Sequence, residues 1–223
     1  MAKHLTQSQR YYICLRIASL DSVKNIAEAL NVHKTTLYRE IKRRPGIVDK
    51  KIRIGDFEID TIVSAKNTGY SCLLTMVDRR SKFVFIRKLP NKTALEMQLA
   101  IEDVYQNTII PFKSLTSDNG VEFARHQDIS ANIACKFYFA RPYYSWDRGL
   151  NEHTNGLICK YVPNGTNFDT ISDERIEEIQ NSLNNRPRKV LKFKTPNEVI
   201  SKYLQRVAKN RLRSSKLAVA FHV

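Results

Sequence analysis

The sequence predicts an α/β protein, a mixed five-stranded sheet with flanking helices preceded by a small all-α module. Two observations predict it. Hydrophobic spacing is helical over the first 45 residues and turns to strand-like alternation after Pro45-Gly46. Beyond that point the elements run βββαβαβα, an order in which the later, parallel strands need right-handed helical crossovers that cover the sheet.

Taken in order, Thr6-Gln7-Ser8-Gln9 fits a capping box that opens a helix through about Ala18. Asp21 or Ser22 caps a second helix with Ile26, Ala27 and Leu30 on one face. A turn follows at Asn31-Val32, where Asn tolerates the left-handed conformation the turn calls for. KTTLYREIKRR then places Leu37 and Ile41 four apart, which completes a helix-turn-helix pattern. GDFEIDTIV, YSCLLTMVD and KFVFIRKL read as three meandering strands, the last two joined by the tight DRRS turn. Lys92 to Asn107 has helical spacing through Leu95, Leu99, Ile101 and Val104. SLTSD reads as a short buried strand, Val121 to Ile133 as a helix, CKFYFA as the fifth strand, and 151–161 and 173–184 as helices. The ribonuclease H-like fold has this element order. The expected division is a helix-turn-helix module over 1–46, a short linker over 47–54, the α/β core over 55–205 and a basic tail over 206–223.

Composition narrows the function classes. With 42% hydrophobic and 26% charged residues the chain matches a soluble globular protein, and its apolar runs are too short to span a bilayer. The polar start MAKHLTQSQRYY and Arg16 give no secretory signal, so a cytoplasmic, nucleoid-associated protein without a membrane partner is expected. Cys14, Cys72, Cys135 and Cys159 form no CxxC pair and are expected to be reduced thiols. The five histidines form no HxH or HExxH pattern, and no P-loop or dinucleotide fingerprint occurs. Net charge is +15, distributed as +8 over residues 1–54, −3 over 55–185 and +10 over 186–223. A basic head and tail around an acidic middle suit a polyanion held from two sides, and DNA is the expected partner. Lys34, Thr35, Thr36, Tyr38 and Arg39 lie on or beside the exposed face of the recognition helix, available to phosphates and base edges. The same hairpin of helices also occurs as plain structure.

Three carboxylates stand out in the middle. Asp60 is late in the first strand, Asp118 ends the fourth, and Glu152 opens a helix after the fifth, so three separate elements carry them to one sheet edge. Phosphodiester chemistry needs such a cluster: Mg²⁺ prefers oxygen ligands, and two ions about 3.5–4 Å apart stabilise both the attacking and the leaving oxygen of an in-line displacement. Each residue has a plainer reading. Asp56, Glu58 and Asp60 alternate as a solvated strand face would; Asp118-Asn119-Gly120 could be a hairpin turn; Glu152 in GLNEHTNG sits among poor helix formers and fits a cap or loop.

Together, Asp60 in GDFEIDTIV, Asp118 in LTSDNGVEFARHQDI, Glu152 in YFARPYYSWDRGLNEHTNGLICKYVPNGTNF and the following LNNRPRKVLKFKTPNEV resemble the DDE transposases of the insertion-sequence-30 family. The resemblance covers about residues 52 to 200. It implies a ribonuclease H-like integrase catalytic core in which Asp60, Asp118 and Glu152 are at once catalytic residues and ligands of two divalent ions, Mg²⁺ or Mn²⁺ in its place. It further implies cleavage and transfer of DNA strands at an insertion sequence, by a homo-oligomer that brings element ends to target DNA. Arg43, Arg148, Asn151, Asn155 and Lys160 complete the candidate DNA contacts. Two features differ from the family pattern. A second helical DNA-binding region usually separates the helix-turn-helix from the core, whereas here GIVDKKIRIGDFEID follows within a few residues and reads as an internal deletion. Cys159 stands where the family usually has a basic residue, and Lys160 beside it points about 100° away on a helix. The rival reading is a catalytically defective, internally deleted derivative that only binds DNA and represses the intact transposase.

Overall fold

Alternation along Asp56–Val63, strand β1, sends Phe57 and Ile59 to one side of the sheet and Asp56, Glu58 and Asp60 to the other, and the computed structural model builds the domain around this strand. The structure describes residues 5–19, 21–34, 36–37, 46–64, 69–140, 149–163 and 165–220, with backbone only at 7, 10, 11, 14, 18 and 213–220. β1 pairs antiparallel with β2 (Cys72–Asp78), which pairs antiparallel with β3 (Val84–Leu89). On its other side β1 runs parallel to β4 (Ser114–Ser117), and β4 parallel to β5 (Lys136–Phe139). The resulting order, β3-β2-β1-β4-β5, is the mixed sheet that the element sequence predicts.

Each face of the sheet has its own core. Phe57, Ile59, Leu74, Met76 and Leu115 pack with Met97, Ile101 and Val104 of helix α4 (Ala94–Gln106) and with Ile129 of α5 (His126–Asn132). On the other face Leu73, Val77, Val84 and Ile86 meet Leu157 and Ile158 of α6 (Gly149–Ile158) and Ile176, Ile179 and Leu183 of α7 (Asp173–Asn184). The buried stripe of α4 differs from the sequence reading: Leu95 and Leu99 are 48% and 50% exposed, and Met97, Ile101 and Val104, at i, i+4 and i+7, face the sheet. The segment 121–133 is also not one helix. A 3₁₀ turn over Val121–Phe123 precedes α5, so the chain bends between Phe123 and His126 and both side chains reach the core side.

At the N-terminus, α1 (Gln7–Ala18) opens with the expected capping box, and Ser22 rather than Asp21 caps α2 (Val23–Ala29). Asn31 has φ 50°, the left-handed turn residue of the motif, and Leu37 is buried against Ile13, Ile17 and Ile26. The stretch read as a linker contains a one-turn helix, α3 (Gly46–Asp49), with Val48 buried. The stretch read as a tail is continuous with the core: α8 runs from Pro196 to Ala220 and seats Ile200 in the first core. Thr195 and Glu198 form a capping box at its start, with Pro196 at the first helical position. Among the described residues Cys72, Cys135 and Cys159 are free, and burial pushes the first two thiols up to about 11 and about 12. No helix among the described residues is long and apolar enough to cross a membrane.

The β2–β3 turn yields a pH prediction. Asp78 accepts from the Ser81 N–H and hydroxyl at 2.6 Å each and from Gly55 N–H at 2.7 Å, which closes the turn and leaves Lys82 left-handed at φ 63°. Burial pulls the Lys82 ammonium down from 10.5 to about 8, although it donates to the Arg79 carbonyl at 2.5 Å. A lowered folded-state value means that burying the charged form costs stability below about pH 8 and that stability rises between about 8 and 10.5, where only the unfolded chain retains the proton. Denaturant titrations of wild type and Lys82→Met across that window should diverge at low pH, with the variant the more stable. Parallel curves would show that the ammonium is solvated.

Candidate active site

The three acidic residues that alternate on β1 are buried, each with its own partners, which removes the solvated-face reading. Asp56 takes a two-pronged contact from Arg53, Nε at 2.6 Å and Nη2 at 2.8 Å, and a hydrogen bond from Ser114 Oγ at 2.6 Å. Glu58 forms an ion pair with Arg79 at 3.0 Å, both side chains about 1% exposed, and accepts from the backbone N–H of Asn151 at 3.3 Å. Asp60, nearest the carboxyl end of the strand, accepts from Thr61 N–H at 2.9 Å and from Asn155 Nδ2 at 3.1 Å. Two carboxylates on this face are therefore tied into the fold, and the third is linked to α6 through Asn155.

Asp118 follows β4 directly. The parallel register pairs Glu58 with Thr116, and Asp60 and Asp118 each lie two residues beyond that pair. Asp118 Oδ1 accepts from Gly120 N–H at 3.1 Å, an Asx turn that redirects the chain. A Cβ at Gly120 would run into the Glu122 carboxylate. The strand thus passes through the 3₁₀ turn into α5, and the hairpin reading of Asn119-Gly120 does not hold.

Glu152 is exposed in the first turn of α6, where a carboxylate is favoured by the helix dipole. Asn151, Thr154, Leu157 and Ile158 form the buried side of this helix. Asn155, one turn beyond Glu152, links the helix to β1: its Nδ2 donates to Asp60 while its Oδ1 accepts from Thr75 Oγ1 at 3.0 Å. Gly149, Glu152, His153 and Gly156 make up the exposed side, and among the described residues a Cβ on either glycine would meet nothing within 4 Å.

The candidate DNA contacts separate on this geometry. Asn151 is 1% exposed, with its backbone bonded to Glu58, so its expected DNA contact does not hold in this arrangement. Asn155 is half-buried on Asp60, Lys34 and Lys160 are exposed, and Thr36 is half-buried. Lys160 lies past the end of α6, in a turn where its N–H bonds Leu157 O, so the 100° spacing to Cys159 expected within a helix does not apply. Thr35, Tyr38, Arg39, Arg43 and Arg148 lie outside the described residues. The spacing gave no sign of Glu122, which is buried and accepts from Thr61 Oγ1 at 3.1 Å and from Lys92 at 3.0 Å.

The donor set suits a hard divalent cation, since Asp60, Asp118 and Glu152 offer only carboxylate oxygens. Among the described residues no three His, Cys, Asp or Glu side chains are gathered closely enough to hold a metal ion, so the three carboxylates complete a shell only with movement.

The fold and this arrangement define an integrase-type core. The family described as integrase core domain matches residues 54–145, and the helix-turn-helix domain family matches residues 2–44. The catalytic core domain of BIV integrase superposes with a TM-score of 0.53 at 21% identity, covering 70% of this chain and 98% of that one. The transposase for insertion sequence element IS4351 of Bacteroides fragilis is 45% identical over 159 residues, 71% of this chain and 48% of its own. The transposase InsI of Escherichia coli is 37% identical over 163 residues, 73% of this chain and 42% of its own. The chain carries an integrase core domain and a helix-turn-helix domain, and over about seven tenths of its length it is similar to insertion-sequence transposases. It spans about half the length of the curated relatives it matches.

Proposed function

We propose that this chain is the DNA-cutting and strand-joining part of an insertion-sequence transposase, with Asp60, Asp118 and Glu152 as the residues that hold a pair of divalent ions, Mg²⁺ or Mn²⁺. What supports the reading is that β1 and β4 run parallel and adjacent, with Asp60 and Asp118 each two residues past the Glu58–Thr116 pair, and that the helix bearing Glu152 is fastened to Asp60 through Asn155. Bound there, divalent ions would supply an activated water and charge stabilisation for in-line phosphoryl transfer. The protein's own part is positional. Asn155 sets the orientation of the Asp60 carboxylate, Glu58 ties down the first turn of α6, and the glycines flanking Glu152 leave that side of the helix open to a DNA backbone. The helix-turn-helix would grip the element end, with Lys34 among its phosphate contacts, and joining two ends calls for a second copy of the chain.

The test is Glu152→Gln, which keeps shape and removes charge. Duplex binding should stay within about twofold, and cleavage of a DNA carrying the element's ends should disappear in Mg²⁺ and Mn²⁺ alike, a loss of about 10³-fold if several kcal/mol of transition-state stabilisation depend on the site. Cleavage at the parent rate would remove Glu152 from the site.

A further inference from the structure

The opposite end of the sheet carries a feature that this chemistry does not use. A groove of about 790 Å³ lies between the residues entering β1, the β2–β3 turn, the approach to β4, the 3₁₀ turn Lys189–Leu191 and α8. Arg80, Lys113, Lys192, Lys194, Lys202, Arg206 and Lys209 line it, together with Arg53, and among the described residues no Asp or Glu does. Arg53 is engaged by Asp56, whereas among the described residues the other seven make no ion pair. Seven uncompensated cations on concave walls repel one another, which favours an anionic occupant.

We infer that this groove is a second, sequence-independent binding site for the phosphate backbone of duplex DNA, separate from the carboxylates. Lys113 donates its N–H to Gly55 O at 2.8 Å, fixing one wall at the amino ends of β1 and β4. From there to Asp60 or Asp118 is five residues of strand, roughly 16 Å. DNA held in the groove is gripped away from the reacting bond. The opposite wall is preformed as well. The Arg188–Lys194 loop closes through Phe193 N–H to Arg188 O and Arg188 N–H to Lys194 O, both at 3.0 Å, and it holds Lys192 and Phe193 in left-handed conformations at φ 56° and 62°. Lysine and arginine side chains aimed at phosphates position a duplex without reading its sequence, which suits DNA of no fixed sequence. A concave channel fits a duplex or an extended chain better than a flat lipid surface. This inference rests on the reading of the chain as a DNA-handling enzyme.

The experiment measures binding of the full chain to a duplex of arbitrary sequence, without divalent metal, between 50 and 200 mM salt. Removing three cations by Lys192→Gln, Lys202→Gln and Arg206→Gln should reduce the slope of log Kd against log salt by roughly 2.7 units, and Lys202→Gln alone by about 0.9. A control double variant, Lys136→Gln and Arg175→Gln, removes charge from exposed positions outside both the groove and the helix-turn-helix and should leave the slope unchanged. An unchanged slope in the groove variant, or an equal drop in the control, overturns the site. So does binding of an acidic peptide or of phosphatidylserine vesicles as tight as that of the duplex at matched charge, lost in the groove variant alone. Failure of the catalytic reading is distinguishable, because it shows in the metal-dependent cleavage of the Glu152→Gln variant and leaves these metal-free slopes untouched.

Discussion

Replacing Arg79 with methionine is expected to destabilise the fold by about 3–5 kcal/mol, the cost of leaving its buried partner's charge uncompensated. Arg79 and Glu58 are each about 1% exposed and lie 3.0 Å apart beneath α6. The remaining carboxylate would have the Asn151 N–H at 3.3 Å, which does not replace a guanidinium. Because that N–H belongs to the first turn of α6, the helix bearing Glu152 should loosen with it. The paired replacement Arg79→Met with Glu58→Gln removes both charges and should recover most of the loss, since a buried ion pair contributes little beyond what two neutral side chains of similar volume provide. Equilibrium denaturation of the two single variants and the double variant measures the coupling. A single-variant cost below about 1 kcal/mol would mean that water reaches the pair.

The same pair shows how far residue spacing carries and where it stops. Strand alternation from Asp56 and the βββαβαβα order are local patterns, and the sheet reproduces them strand by strand. Alternation fixes which side a carboxylate takes but not what covers that side. Glu58 reads as solvated in the sequence because its partners, Arg79 and Asn151, are 21 and 93 residues away. Asn155 is likewise identifiable as a polar residue near Glu152, yet its bond to Asp60 depends on the seating of α6 on β1 and β2, a tertiary fact. The start of α8 was legible: Thr195-Pro196-Asn197-Glu198 is a capping box with proline at the first helical position, obscured by the basic residues that follow. Leu95 and Leu99 misdirect the reading of α4, since leucine is a strong helix former wherever it points and only contact with the sheet selects Met97, Ile101 and Val104.

Asp60→Asn is expected to abolish strand cleavage, a loss of about 10³-fold or more, while leaving the melting temperature unchanged or slightly raised. The two effects have one origin. Asp60 is buried, so without a cation its negative charge is held away from water at a cost. The amide removes that charge and keeps the volume. One of its two hydrogen bonds survives: the amide oxygen can accept from Asn155 Nδ2, now at 3.1 Å from the carboxylate, so the link from β1 to α6 and Thr75 persists, while the amide nitrogen cannot accept from Thr61 N–H. What is lost is a charged oxygen ligand for a hard cation, and with it several kcal/mol of transition-state stabilisation. A residue kept for chemistry at the expense of stability behaves in this way, whereas a structural carboxylate such as Glu58 should do the reverse. Melting curves with and without Mg²⁺ complete the test. Added metal should stabilise the parent by binding the folded state and should stabilise Asp60→Asn less. A variant that melts several degrees lower and still cleaves DNA would place Asp60 with the structural carboxylates and leave the metal to others.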